Sequence, residues 1–395
     1  MLAFLGVLAL LFAAAPLCYY LLSLFCVIDF FRSSTVSAST DASFSPPVSI
    51  IKAVRGMDTG AYENFASFCR LDYQDYEILF GVADPEDPVI PVIRQLQLDF
   101  PGRTIRLITP VPEHGTNNKV NSLCRLVCEA AHEILVMSDS DVRVDAQYLR
   151  RLVAPFQKPN VGAVTCLYRS KPSTTFASRL DALGMAAESA PGAIVARKLE
   201  GKVQFAFGWT MATTKTCLAR IGGWEAMANH HSDDFELGNR LARAGFLVEL
   251  LPEPVEMVFP PESLAEFFRH ELRWSIGLRN VRPAGFWGIL LTHGLPWSLL
   301  ASAVVFALHW PLAIALAYFC GYLFLRLTLT WTSGAWGLRD PFVFRNLWLV
   351  PARDAICFFV WVAACFTNRI HWRGLDYRVE HGILVPMNNP RESHH

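Results

Sequence analysis

Ser138–Asp139–Ser140–Asp141 sets two carboxylates one residue apart, directly behind the apolar run EILVM at 133–137. Such a pair at a strand end can hold Mg2+ or Mn2+ against a diphosphate, because a hard cation takes oxygen ligands and phosphate oxygens complete its shell. Taken alone, an Asp-x-Asp more often closes a polar turn through an Asx cap. A second acidic group, Asp84–Pro85–Glu86–Asp87, follows EILFGV at 77–82. A third, Asp233–Asp234, stands between Ile221–Gly222–Gly223–Trp224 and Phe235–Glu236–Leu237, where an Asp can equally cap a helix. His230 and His231 adjoin it, but no further ligand lies at a metal-binding spacing. Further on, Ser263 and Glu266 form a capping-box pattern that starts a helix near Leu264. That helix carries Arg269, His270, Glu271, Arg273 and Trp274, residue types that also anchor helices at a membrane boundary.

The elements that must position these groups are short apolar runs. VSIIK (48–52), EILFGV (77–82), TIRLI (104–108), EILVM (133–137) and VGAVTCLY (161–168) read as buried strands. Connections such as 60–71 and 88–98 are long enough for helices. This alternation predicts an α/β fold, a mostly parallel sheet with helices on both faces. Ligands on such sheets bind beyond the carboxyl ends of the strands, and the first two acidic groups fall there. No GxGxxG follows any of these strands, which disfavours a dinucleotide enzyme.

Composition adds a second phase. The 395 residues are 52% hydrophobic and 18% charged, against about 25% charged in a typical soluble domain, so part of the chain belongs in lipid. The formal net charge is zero, which gives no electrostatic case for nucleic acid. Ten cysteines are scattered without a CxxC, and Cys124 and Cys128 read as small helix positions, so neither a disulfide framework nor a zinc site is expected. That suits a reducing, cytosol-facing domain. No charge occurs from Leu2 to Ile28, and the first basic residue, Arg32, follows the run. A retained anchor with its N-terminus outside is the reading. None occurs between Arg282 and Arg326 either, enough for two crossings with both flanks inside.

The expected organisation is therefore an anchor at 1–31, a linker at 32–47 and a cytosolic domain at 48–281. Two transmembrane helices follow at 282–326, then 327–368 with a loop and either an embedded segment or a third C-terminal crossing at 355–367, then a tail at 369–395. Within the cytosolic domain, 176–196 is apolar but interrupted by Arg179, Asp181 and Glu188, and reads as an interfacial amphipathic helix lying on the bilayer.

In this order, Asp84, Asp139/Asp141, Asp234 and His270-x-x-Arg273–Trp274 resemble the signature of inverting glycosyltransferases of family 2 and its relatives. That signature runs Asp, Asp-x-Asp, (Glu/Asp)-Asp, then (Gln/Arg)-x-x-Arg-Trp. More narrowly, VSIIKAVRG (48–56), NFASFCRLDYQDYEILFGVADPEDP (64–88), GTNNKVNSL (115–123), SDSDVRV (138–144) and HWRGLDYRV (371–379) are similar to the ceramide glucosyltransferase type (family 2/21). The likeness extends over about residues 45–380. VGAVTCLYR (161–169) and HELRW (270–274) resemble as much the bacterial branch that adds N-acetylglucosamine to a hopanoid. One position departs from the signature: His270 stands where Gln or Arg is usual, although a histidine can still donate a hydrogen bond to a phosphate.

The resemblance implies a nucleotide-diphospho-sugar transferase fold with transmembrane helices. It implies transfer of glucose or a related hexose from a UDP-sugar to a lipid hydroxyl such as ceramide, giving a β-glycolipid. Lys52 and Asp84 would be nucleotide-recognition strand ends, with Lys119 in the GTNNKVN loop near the sugar diphosphate. Asp139 and Asp141 would hold Mg2+ or Mn2+, Asp139 also binding the donor. Asp234 would be the catalytic base, and His270, Arg273 and Trp274 would bind the donor. A hopanoid acceptor with UDP-N-acetylglucosamine is the alternative. A processive polysaccharide synthase shares the acidic motifs but usually has more crossings, and a non-catalytic membrane scaffold would not need the carboxylates. The expected location is a bacterial inner membrane with the domain facing the cytosol, in contact with bilayer, lipid acceptor and UDP-sugar, and with no nucleic acid.

Overall fold

The computed structural model describes residues 1–36 and 44–387. Part of the expected linker (37–43) and the end of the tail (388–395) lie outside the described residues. The chain forms two compact units built from interleaved segments. One comprises Ser33–Ser173, Leu199–Pro260 and Gly382–His395; the other comprises Met1–Arg32, Thr174–Lys198 and Pro261–His381. The linear division of 48–281 as one domain thus does not hold, because 174–198 and the stretch from 261 belong to the unit that carries the apolar helices.

The first unit holds an eight-stranded sheet of β1 (Val48–Val54), β2 (Tyr76–Val82), β3 (Thr104–Ile108), β4 (Ile134–Ser138), β5 (Val142–Arg143), β6 (Val161–Lys171), β7 (Thr210–Thr214) and β8 (Leu247–Val258). Its order is β3-β2-β1-β4-β7-β6-β8-β5. The β3-β2-β1-β4 half is parallel, with Ile50 opposite both Ile78 and Val136. These strands are near-continuous apolar runs because both faces are covered, and Ile50, Ile51, Ile78, Leu79, Leu135 and Val136 are all buried. The other half is mixed rather than parallel, since β7 runs antiparallel to β4 and β6, and β5 antiparallel to β8. The sequence reading missed β8 because Pro252 and Pro254 interrupt it. Both fall where the β6–β8 register jumps from Cys166/Leu251 to Tyr168/Val255, a bulge where no ladder amide is required.

Among the described residues three helices are long and apolar enough to cross a membrane: Leu2–Ser33, Leu312–Gly337 and Pro341–Phe366. A fourth span results if Pro283–Thr292 and Gly294–Ala307, bent by 49°, are taken together. Two expected boundaries are corrected. Arg326, taken as a cytosolic flank, is buried inside a helix that runs on beyond it. Arg353 and Asp354, which directly precede the apolar segment expected at 355–367, are buried within Val350–Phe366. Asp354 accepts from Arg326 at 2.6 and 2.9 Å and from the Tyr322 hydroxyl at 2.9 Å. Arg353 donates to Glu271 at 2.7 Å and to the Leu180 carbonyl at 3.0 Å. Charges paired this way can reside among apolar helices, so counting them as boundaries shortened the spans.

The 176–196 stretch is not a surface helix. Ala177, Leu180, Leu183 and Ala186 pack with Phe267, Val343, Leu349, Val350 and Cys357 in one buried cluster, so its apolar face is covered by protein. The tail folds as a hairpin of β9 (Arg369–Trp372) and β10 (Leu375–Glu380). Its two turn residues, Arg373 and Gly374, both have positive φ (49° and 82°), the turn that matches strand twist.

Candidate active site

The carboxyl ends of β1, β2 and β4 lie side by side, since Val54 pairs with Val82 and Ile51 with Met137. Lys52 projects at this edge but is fully buried. Its ammonium donates to the Asp139 carbonyl at 3.0 Å and the Ser138 hydroxyl at 3.3 Å, and sits 3.7 Å from the centre of the Phe68 ring. Burial pushes this lysine down to about 7, with the Asp139 and Asp141 carboxylates holding it up. Lys52 therefore supports the Asp139 backbone from beneath and is not open to a nucleotide. The same loop is fixed from the side: Ser140 bonds the Asp58 carboxylate, and Asn64 donates to the Ser140 carbonyl at 3.3 Å.

Lys119 is delivered by the asparagine-rich loop. Asn117 caps the helix Asn118–Glu129, accepting the amides of Lys119 and Val120 at 3.0 and 3.2 Å. Asn121 accepts the amides of His114 and Gly115 at 2.9 Å each, folding the loop on itself. The loop is then tied to the segment before Asp233: the Asn117 side chain donates to the His230 carbonyl at 2.8 Å, and the Thr116 amide to Asn229 at 2.9 Å. A side chain at Gly115 would meet the Ala228 carbonyl oxygen at 2.6 Å, so this approach demands glycine.

The result is one ammonium among three carboxylates. Lys119 Nζ lies 2.8 Å from Asp139 Oδ1 and 3.4 Å from Asp233 Oδ2. Burial opposes its charge, but Asp139, Asp233 and Asp234 outweigh burial and hold the lysine above its ordinary value. Ser232 is the N-cap of the helix Asp233–Arg243, so both aspartates sit in its first turn. Asp234 accepts the Phe235 amide at 2.7 Å and the Gly208 amide at 2.9 Å. Burial, then the charge of Asp233, lifts its carboxyl to about 6 against Lys119 and those two amides.

Gly208 leads into β7, whose Thr210 faces Ser138 of β4. A Cβ there would lie 3.1 Å from Lys119 Nζ, 3.3 Å from Asp234 Oδ2 and 3.6 Å from Asp139 Oδ2. Glycine thus keeps a space bordered by the ammonium and two carboxylates. Asp139 borders this space, and the half-buried Asp141 follows two residues on in the same loop; their carboxylate oxygens are the ligand type that a hard divalent cation takes.

The remaining candidates are placed differently. Asp84 is exposed and accepts the amide of Glu86 at 2.9 Å within its own turn. Its neighbour Asp87 is the buried one, joining the loops after β1 and β2 by accepting the Gly56 and Val89 amides at 2.8 and 2.9 Å. His230 Nε2 lies 3.9 Å from Glu236, and His231 bonds Ser232 at 3.1 Å. Neither histidine joins a metal-type cluster among the described residues. His270, Arg273 and Trp274 belong to the other unit, on the helix Leu264–Val281, which the capping box of Ser263 and Glu266 begins. His270 Nδ1 is 2.6 Å from Asp181 Oδ2, and Arg273 lies over the Trp372 ring at 5.8 Å. Sequence reasoning missed the parts played by Asp87, Gly208 and Asp181. Asp87 stood in the quoted string, whereas Gly208 and Asp181 carried no local pattern.

Together with the membrane-length helices, this acidic edge places the chain among the glycosyltransferases that carry apolar spans. A family comparison narrows the class: the model described as Glycosyl transferase family 21 matches residues 8–385, and the chain belongs to that family. Its fold is accordingly the α/β nucleotide-diphospho-sugar transferase type with added transmembrane helices. The chain is 23% identical over 354 residues to ceramide glucosyltransferase 1 of Caenorhabditis elegans, spanning 85% of this chain and 72% of that protein. It is 20% identical over 265 residues to a poly-β-1,6-N-acetyl-D-glucosamine synthase of Staphylococcus epidermidis, spanning 67% and 62%. Among solved structures, the mannosyltransferase PcManGT from Pyrobaculum calidifontis, in complex with GDP-Man and Mn2+, aligns with a TM-score of 0.49 at 17% identity, covering 90% of this chain and 99% of that one.

Proposed function

We propose that this glycosyltransferase transfers one hexose, glucose first among candidates, from a UDP-sugar to the primary hydroxyl of a membrane lipid such as ceramide. The observation that carries the reading is Asp234, a carboxylate with its pKa lifted to about 6, facing Lys119 and Asp139 across the space at Gly208. A base works best with a pKa close to the working pH. In the reaction the lipid oxygen attacks the anomeric carbon, its proton passes to Asp234, and the bond to the diphosphate breaks to release UDP. Direct displacement needs no enzyme nucleophile and turns an α-linked donor into a β-glycoside. Lys119 bears on the negative charge that grows on the leaving diphosphate. By the family motif, His270, Arg273 and Trp274 act on the same donor.

Asp139 and Asp141 would hold Mg2+ or Mn2+, which when bound neutralises diphosphate charge. Lys52 acts by fixing the backbone that presents Asp139, and Asp84 by its place at the end of β2. The sheet-bearing unit is proposed to face the cytosol, where UDP-sugars are made, from a bacterial inner membrane. Arg32, Arg269, Arg273, Arg279 and Arg282 flank spans on that side, in keeping with the positive-inside bias.

Likeness to a polymer synthase and to the hopanoid branch makes product and donor the deciding observables. The purified protein is given UDP-glucose or UDP-N-acetylglucosamine with ceramide or a hopanoid, and the lipid products are weighed by mass spectrometry. One added hexose on ceramide is expected. An N-acetylhexosamine on a hopanoid would move the assignment to that branch, and a ladder of products would make the chain a polymerase.

A further inference from the structure

Asp181, Glu262 and His270 form a cluster of histidine and carboxylates in the unit with the apolar helices. Asp181 comes from the helix Phe176–Ala182, and its Oδ2 lies 2.6 Å from Nδ1 of His270 on the helix Leu264–Val281. The arrangement is braced by Thr175, the N-cap of the first helix, whose hydroxyl accepts the amides of Ser178 and Glu262 at 3.3 Å each. An aspartate 6% exposed requires a partner for its charge, and the imidazole is in contact with it. Burial alone would raise Asp181, but His270 overcomes burial and holds the carboxyl below its usual range, with Arg353 and Arg273 contributing. Burial likewise works against a charged His270, and Asp181 overcomes it; Arg273 opposes that charge and Glu271 favours it. Burial and the adjacent Asp181 push Glu262 up to about 7, so Asp181 ionises first and is the carboxylate that faces the ring on the acid side of neutrality.

We propose that Asp181 is a positioning residue that fixes His270 as an imidazolium, so that a histidine replaces the Gln or Arg of the family motif in holding the donor's diphosphate. The proposal rests on the donor-binding role given above to His270. A neutral imidazole bonded to Asp181 through Nδ1–H leaves a lone pair on Nε2, which repels a phosphate oxygen. An imidazolium has N–H donors on both nitrogens. A carboxylate behind the ring is what makes histidine serviceable at this position.

The test measures UDP binding to the full-length protein from about pH 5 to 9, spanning the histidine range. Asp181→Asn is compared with Asp181→Asn/Glu262→Gln, because Glu262 would ionise in place of the lost carboxylate. His270→Arg supplies the pH dependence that belongs to UDP itself. Near pH 8 the double variant should bind UDP roughly tenfold more weakly, recovering as acid protonates a histidine with an ordinary pKa of about 6.5. His270→Arg in the Asp181→Asn/Glu262→Gln background should remove that defect. NMR titration of labelled His270 should show its pKa falling when Asp181 is changed. Equal weakening at every pH, or an unmoved titration, would overturn the proposal. Absence of any UDP binding or transfer by the unaltered protein would instead defeat the functional reading, and the NMR titration would still decide whether Asp181 charges the ring.

Discussion

At the scale of single residues the account turns on Asp234 and the space beside it. Asparagine there keeps the shape and the amide contacts but cannot take a proton. Asp234→Asn should retain UDP-sugar binding and lose transfer by about 10²–10⁴-fold; a loss below about tenfold would remove Asp234 from the role. The same group sets an acid limb. A base must be ionised, and burial with Asp233 lifts this carboxyl to about 6, so kcat should fall as pH drops through about 6 and level off above it. An ordinary aspartate would keep the rate down to about pH 4, and that profile would contradict the assignment. Gly208→Ala puts a methyl carbon 3.1 Å from Lys119 Nζ without a positive φ to strain. It should weaken UDP-sugar binding about tenfold or more while shifting Tm by less than about 2 °C, under 1 kcal/mol for a unit of roughly 150–250 residues. Unaltered binding would show that the space is not the donor's. The paired aspartates were legible because carboxylates stand out at strand ends. Gly208 was not, since its importance lies in what surrounds it, and the burial of Lys52 follows from packing against Phe68 and Ser138, which no spacing encodes.

At the scale of elements, the parallel half of the sheet could be read because strands covered on both faces are apolar throughout. β5, β7 and β8 could not. β7 is short and threonine-rich, and β8 carries prolines that only a bulge accommodates. The membrane helices show the opposite failure. Arg326, Arg353 and Asp354 resemble boundaries in sequence and are interior partners in the structure. Removing one member of the Arg326–Asp354 pair strands a buried charge, at a cost of about 3–5 kcal/mol. Arg326→Leu and Asp354→Leu should each sharply lower thermal stability in detergent, and the double variant should recover most of the loss. Equal or additive losses would mean that the pair does not act as a unit.

At the scale of the whole molecule, two units of interleaved segments combine a donor-type sheet with three or four membrane-length helices. With the proposed UDP-sugar as donor, the sheet-bearing unit is expected to face the cytosol. Leu98, 74% exposed on the helix Ile90–Asp99, is a suitable reporter once the native cysteines are replaced. A cysteine at that position should resist an impermeant thiol reagent in intact cells and react after the membrane is opened; labelling in intact cells would reverse the topology. The central claim is single displacement onto a lipid hydroxyl, and the stereochemistry of the product tests it most directly. The glycolipid made by the purified protein from an α-linked UDP-sugar is isolated, and its anomeric proton coupling is read by NMR. The account predicts one sugar in β linkage to the lipid oxygen. An α-glycoside, or UDP release with no sugar on the lipid, would contradict it.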